Sequence, residues 1–143
     1  SFINMATSKK EIRQGYLSAY PDATVRVRRA GNTAFITIKT RNCGAVRDEW
    51  EYPIPPCDAD DMLSKCCGQS ISKTRYIVPF GSCVWEVDVF AGRLAGLIVA
   101  EVELESAEAE VELPPFAGRE VTGDTRYYNS SLADPSASLP PVE

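Results

Sequence analysis

The sequence predicts a mainly β fold with short helices: a closed or nearly closed antiparallel barrel with a charged lumen and its helices packed outside. Three observations predict it. Like charges are paired at a spacing of two in Arg26 and Arg28, Glu49 and Glu51, Lys73 and Arg75, Glu86 and Asp88, and Glu101 and Glu103. On a strand, side chains two apart point to the same face. The residues between the pairs, Val27, Trp50, Thr74, Val87 and Val102, are mostly apolar, which makes the opposite face oily. Turn signals such as Gly31-Asn32 and Gly81-Ser82 separate the segments. Oily faces turned outward under helices leave the charged faces pointing inward. About eight strands close a barrel wide enough for one small ligand.

The elements follow in order. Residues 1–11 show no clear period and read as a loosely ordered terminus, and a strand-like pattern starts at Ile12. Val25-Arg26-Val27-Arg28 alternates, and Ala34 to Thr40 is a β-branched run, so residues 24–40 read as a hairpin around Gly31-Asn32. Lys39 adds one charge on the face opposite Ile36 and Ile38. Arg47 to Ile54 alternates again and ends among prolines. Residues 58–67 predict a helix, with Asp58 as cap, Gly68 just past its end, and a stripe of Ala59, Met62, Leu63 and Cys66. Ile71 to Phe80, Cys83 to Phe90 and Leu97 to Glu105 read as strands, and Ser106 to Glu112 as a short helix before Pro114-Pro115. The Ser-, Pro- and Ala-rich residues 130–143 read as a second loosely ordered terminus. No repeat or linker divides residues 1–143, which are expected to form a single domain.

Composition narrows the chemistry. A net charge of −5 argues against a general nucleic-acid binder, although a buried site can oppose the net charge. No apolar run reaches the roughly 18 residues of a membrane span, and the N-terminus does not read as a signal peptide. The five cysteines are odd in number and include no Cys-x-x-Cys pair, so they read as free thiols of a reducing, cytoplasmic compartment. The absence of histidine removes Ser-His-Asp and Cys-His catalysis. Acid–base work then falls to carboxylates, Lys, Tyr or metal-bound water.

One such pair is ordinarily the solvated face of a sheet. Five pairs, each of a single sign, differ from the usual mixture of a wet face. Like charges two apart repel, so something must neutralise them. Multivalent anions would satisfy Arg and Lys, and divalent cations would satisfy Glu and Asp. A metal-bound, phosphate-rich anion does both.

Arg-x-Arg at 26–28, Thr-Ile-Lys at 37–39, Glu-x-Glu at 49–51, Lys-Thr-Arg-Tyr at 73–76, Trp-Glu-Val-Asp at 85–88 and Ala-Glu-Val-Glu at 100–103 together resemble the CYTH domain, the triphosphate tunnel metalloenzyme family. Gln-Gly-Tyr-Leu at 14–17 and Gly-Arg-Glu-Val-Thr-Gly-Asp-x-Arg-Tyr at 118–127 resemble its short bacterial-type members. The resemblance implies Mg²⁺- or Mn²⁺-dependent hydrolysis of inorganic triphosphate or another triphosphate in the lumen. It implies phosphate binding by Arg26, Arg28, Lys39, Lys73 and Arg75, with Arg126 as a further candidate or else a surface ion pair. Glu101 and Glu103, backed by Asp88 and Glu86, are the expected metal ligands, and Glu49 and Glu51 position a metal or the attacking water.

The family's leading Glu-x-Glu-x-Lys strand has no match here, because Phe2-Ile3-Asn4-Met5 carries no carboxylate. Impaired hydrolysis, and a homodimer through an open sheet edge, are therefore expected of these residues. The expected partner is a triphosphate-containing small molecule, with neither nucleic acid nor membrane. The alternatives are a non-catalytic polyphosphate- or nucleotide-binding module and a class IV-type adenylate cyclase. No residue points to an adenine pocket.

Overall fold

Two short turns set the register of the sheet. Gly31 and Gly81 have φ of 60° and 62°, conformations that favour glycine, and each takes the first central position of a two-residue hairpin turn. Gly31-Asn32 joins β2 (Ala23–Ala30) to β3 (Thr33–Thr40), and Gly81-Ser82 joins β5 (Ile71–Phe80) to β6 (Cys83–Phe90). With β1 (Ser8–Tyr20), β4 (Glu49–Pro53) and β7 (Ile98–Val102) they form one antiparallel sheet of seven strands, in the order β4-β3-β2-β1-β5-β6-β7. This is a computed structural model, and it describes residues 2–20, 22–41, 46–67, 70–104, 111–122, 125–127 and 132.

The expected closed or nearly closed barrel is a curled sheet that stops short of closure. Among the described residues β4 and β7 are edges, so the sheet does not close on itself. It is nevertheless strongly curled. Glu51 of β4 and Glu86 of β6 line one cavity, whereas five strand spacings in a flat sheet would set them about 24 Å apart.

The face away from the charge pairs is covered in two places. The helix α2 (Pro56–Lys65) buries Ala59 and Leu63 against Val27 and Ala34, with Ile36, Ile54, Met62 and Cys67 around them. Val78, Trp85 and Val87 form a second cluster with Phe2 of the short helix α1 (Phe2–Met5), Val111 and Phe116. Phe2 meets Tyr76 and Phe116 edge-on, each at 5.7 Å between centroids. A third cluster, Ile71, Phe90, Leu94, Leu97 and Leu132, packs with Tyr16, Val99 and Tyr127. Tyr16, Ile71, Phe90 and Val99 share the charged face, so this cluster fills one end of it.

Several boundaries move. The first eleven residues are not a loose terminus: Phe2 joins a core cluster, and Ser8 to Glu11 already pair with β5. Asp58 does not cap α2. The helix starts at Pro56 with Pro55 as its N-cap and no side-chain cap, because a proline in the first turn lacks only an N–H that would be unpaired anyway. Asp58 sits in the first turn, where its charge suits the helix dipole. Of the apolar stripe, Cys66 is exposed. The last strand is shorter than expected, since Leu97 turns into the end cluster and Glu103 lies past Val102. The expected helix 106–112 lies largely outside the described residues, and Val111 and Glu112 are not helical. Gly68, Cys43 and the tail 130–143, apart from the buried Leu132, also lie outside them. The four described cysteines, Cys57, Cys66, Cys67 and Cys83, are free thiols. No helix among the described residues is long and apolar enough to cross a membrane.

Candidate active site

Register brings the charged side chains together. Lys10 faces Arg75, and Arg75 faces Asp88. Gln14 faces Arg28, and Tyr16 faces Arg26, which faces Thr37 and through it Glu51. Glu86 faces Glu101. Residues directly opposite on neighbouring strands share a face, so these side chains occupy one surface of the curled sheet. That surface encloses a cavity of about 600 Å³ whose charged lining is Lys9, Lys10, Arg26, Arg28, Arg75, Glu51 and Glu86.

The cations fall into two groups. On β5 they are neutralised by β6. Lys73 Nζ lies 2.7 Å from Asp88 Oδ2, and Arg75 donates to both Asp88 oxygens at 2.8 and 2.9 Å. Arg75 Nη1 also lies 2.9 Å from Glu86 Oε2. Burial works against the Asp88 carboxylate, but hydrogen bonds and charge from Arg75 and Lys73 outweigh it and hold its pKa below the usual value. Hydrogen bonding to Asp88 likewise holds the Arg75 guanidinium above its ordinary value. Burial lowers Lys73, and Asp88 only partly offsets it. Lys73 also lies 5.4 Å from the centroid of the Phe90 ring.

On β2 the cations are not neutralised. Arg28 donates through Nε to the fully buried Gln14 Oε1 at 2.7 Å, a neutral partner. Burial, then Arg26 and Arg75, pulls the Arg28 guanidinium down to about 10. Arg26 donates to the Tyr16 hydroxyl, whose pKa burial raises. Arg26 Nε and Gln14 Nε2 are buried donors without a protein acceptor among the described residues. Two arginines on one strand face, with spare donors on Arg26 and Gln14, make a site for a multiply charged anion.

The carboxylates divide in the same way. Asp88, expected among the metal ligands, already accepts from both Lys73 and Arg75. Glu86 and Glu101 oppose each other across β6 and β7, with Arg75 in an ion pair with Glu86 and within reach of the Glu101 charge. Facing like charges are unfavourable, and a cation between them would relieve the repulsion. Among the described residues no three acidic or thiol side chains converge on one point. One or two carboxylates completed by phosphate oxygens is how Mg²⁺ is usually held, so this donor set fits. Glu103 is exposed beyond β7.

Glu51 accepts from Thr37 Oγ1 at 3.3 Å at the cavity wall. Glu49 and Lys39 pair with each other at 3.6 Å and are not among the lining residues. Arg126 is exposed, 5.8 Å from the Tyr127 ring centroid, and also does not line the cavity. The structure adds Lys10, Gln14, Tyr16 and Thr37 to the charged face. The alternation Ile12, Gln14, Tyr16 was the available signal for Gln14 and Tyr16.

Comparison with known proteins gives the family and its relatives. A family model described as CYTH domain matches residues 3–133. An inorganic triphosphatase of Acetivibrio thermocellus is 43% identical over 121 residues, covering 84% of this chain and 78% of its own. An inorganic triphosphatase of Nitrosomonas europaea is 39% identical over 127 residues, covering 85% and 83%. A solved structure of an inorganic triphosphatase superposes with a TM-score of 0.71 at 34% identity, covering 88% of this chain and 86% of that one.

Proposed function

This chain belongs to the CYTH domain family, and from that premise we propose that it hydrolyses inorganic triphosphate bound in the charged cavity. The observation that carries the reading is the cluster of Arg26, Arg28 and Arg75 on one cavity wall, with Glu51 and Glu86 facing the same space. Buried Arg26 Nε and Gln14 Nε2, which have no acceptor among the described residues, gain one when phosphate oxygens enter. Relatives at 43% and 39% identity are inorganic triphosphatases.

Each group then has a task. Arg26 and Arg28 hold phosphate oxygens from β2, Arg75 stands by them on β5, and Asp88 keeps Arg75 and Lys73 in place. Glu86 and Glu101 would hold a divalent cation of the Mg²⁺ or Mn²⁺ kind. When bound, such a cation supplies charge neutralisation at the phosphoryl group and a more acidic water. Glu51, steadied by Thr37, orients the attacking water from β4. Lys39 and Glu49 brace the neighbouring rim.

The test is release of inorganic phosphate from tripolyphosphate with Mg²⁺ or Mn²⁺, run beside ATP and pyrophosphate. Metal-dependent release from tripolyphosphate, lost in Arg28→Ala, is expected. Tight binding without release would instead make the protein a polyphosphate-binding module. Neither binding nor release would overturn the reading.

A further inference from the structure

We propose that Lys10 binds the outer end of the phosphate chain and thereby sets the preference for three phosphates over two. The inference rests on reading the cavity as a triphosphate site. Lys10 stands on β1 directly opposite Arg75 and lines the cavity that Arg26 and Arg28 also line. The charge balance of the walls makes it matter. Arg75 is satisfied by Asp88 and Glu86, and Lys73 by Asp88. None of the ion pairs among the described residues includes Lys10, Arg26 or Arg28. The positive charge left for an anion therefore lies on β1 and β2.

That charge is spread along the strand axis. Arg28 lies level with Gln14, and Arg26 with Tyr16. Lys10 is four residues before Gln14, about 13 Å at roughly 3.3 Å per residue. Long flexible side chains close part of this gap from both ends, and the ligand must bridge the rest. A diphosphate held by Arg26 and Arg28 stops short of Lys10, whereas a triphosphate extends one phosphate further toward it. Lys10 is exposed at its own position, so its ammonium is free to swing onto that terminal group.

The experiment is calorimetric titration of the protein with tripolyphosphate and with pyrophosphate, in a chelator so that nothing turns over, at low ionic strength. Lys10→Ala is expected to raise the tripolyphosphate Kd about 3- to 10-fold while moving the pyrophosphate Kd by less than about twofold, the loss of one partly screened charge-assisted contact. Lys10→Arg should restore the preference. An unchanged tripolyphosphate Kd in Lys10→Ala, or an equal loss for both anions, would overturn the proposal while leaving the triphosphate site standing. If the unaltered protein binds neither anion, the phosphate reading of the cavity falls, and Lys10's role with it.

Discussion

Lys73 Nζ lies 2.7 Å from Asp88 Oδ2 with the two side chains 0% and 4% exposed, so the cavity's basic wall is anchored by an ion pair sealed from water. Removing one partner of such a pair leaves an uncompensated buried charge, which costs about 3–5 kcal/mol. Asp88→Asn is therefore expected to lower Tm sharply at pH 7. The sign with pH follows from the depressed Asp88 carboxyl. Its contribution is present above the unfolded carboxyl value, about 3.9, and is lost as pH falls through the lower folded value. Melting curves of wild type and Asp88→Asn should draw together as pH falls below the unfolded carboxyl value of about 3.9. A Tm gap that stays constant from pH 7 to pH 3 would show that Asp88 acts through packing alone.

Arg28 is the reverse case, a charged group whose burial costs stability. Burial and its neighbours Arg26 and Arg75 bring its guanidinium down to about 10. A base lowered in the folded state destabilises the fold below that value, and the penalty is relieved as pH rises beyond it. Arg28→Gln removes the charge and leaves only neutral Gln14 without its donor. Its Tm should equal or exceed that of wild type, while tripolyphosphate Kd rises about 10- to 100-fold for the loss of a charge-assisted pair. A lower Tm together with unchanged affinity would make Arg28 structural.

Gly15 lies on the opposite face, and its role is spatial. A Cβ there would stand 3.0 Å from Cys67 Sγ and 3.1 Å from both Cys67 Cβ and Leu63 Cδ2. Three close neighbours at the C-terminal end of α2 leave little room to yield, so Gly15→Ala should cost about 1–3 kcal/mol, as overpacking does. Affinity for tripolyphosphate should be unchanged, because Gly15 faces away from the cavity. Denaturant melts give the first quantity and calorimetry the second. A stability equal to that of wild type would show that α2 shifts freely over β1.

What could be read from the sequence depended on distance along the chain. Arg26 with Arg28, and Glu49 with Glu51, announce their shared face because a strand repeats every two residues. The pairing of Arg75 with Asp88 was also within reach. A two-residue turn at Gly81-Ser82 sets Phe80 opposite Cys83, and counting outward sets Arg75 opposite Asp88. Drawn out, that register sets a guanidinium against the Asp88 carboxylate. Lys10 was not legible, because Lys9 and Glu11 are as polar as Lys10 and hide the alternation. Its place beside Arg75 depends on β1 pairing with β5, across some sixty residues of chain. No local pattern encodes such a contact, and only the assembled sheet reveals it.

The acidic wall gives the last prediction. Glu86 and Glu101 face each other across β6 and β7; Arg75 forms an ion pair with Glu86, and its charge also reaches Glu101. Glu101→Gln keeps the shape of an exposed side chain and removes one of two facing charges. Tm without metal should therefore hold or rise slightly, by the roughly 0.2–1 kcal/mol that opposed like charges cost on a sheet. If the pair holds the divalent cation, the Mg²⁺ concentration for half-maximal phosphate release should rise several-fold, and excess Mg²⁺ should recover most of the rate. Glu86→Gln should show the same metal defect, while metal-free tripolyphosphate affinity holds or rises, because it also frees Arg75 for the anion. Glu103→Gln separates the two expected ligand positions, since Glu103 stands beyond the end of β7. A metal requirement moved by Glu103→Gln and untouched by Glu101→Gln would place the cation past the strand end. Titrations of activity against Mg²⁺ for the three variants decide between these positions.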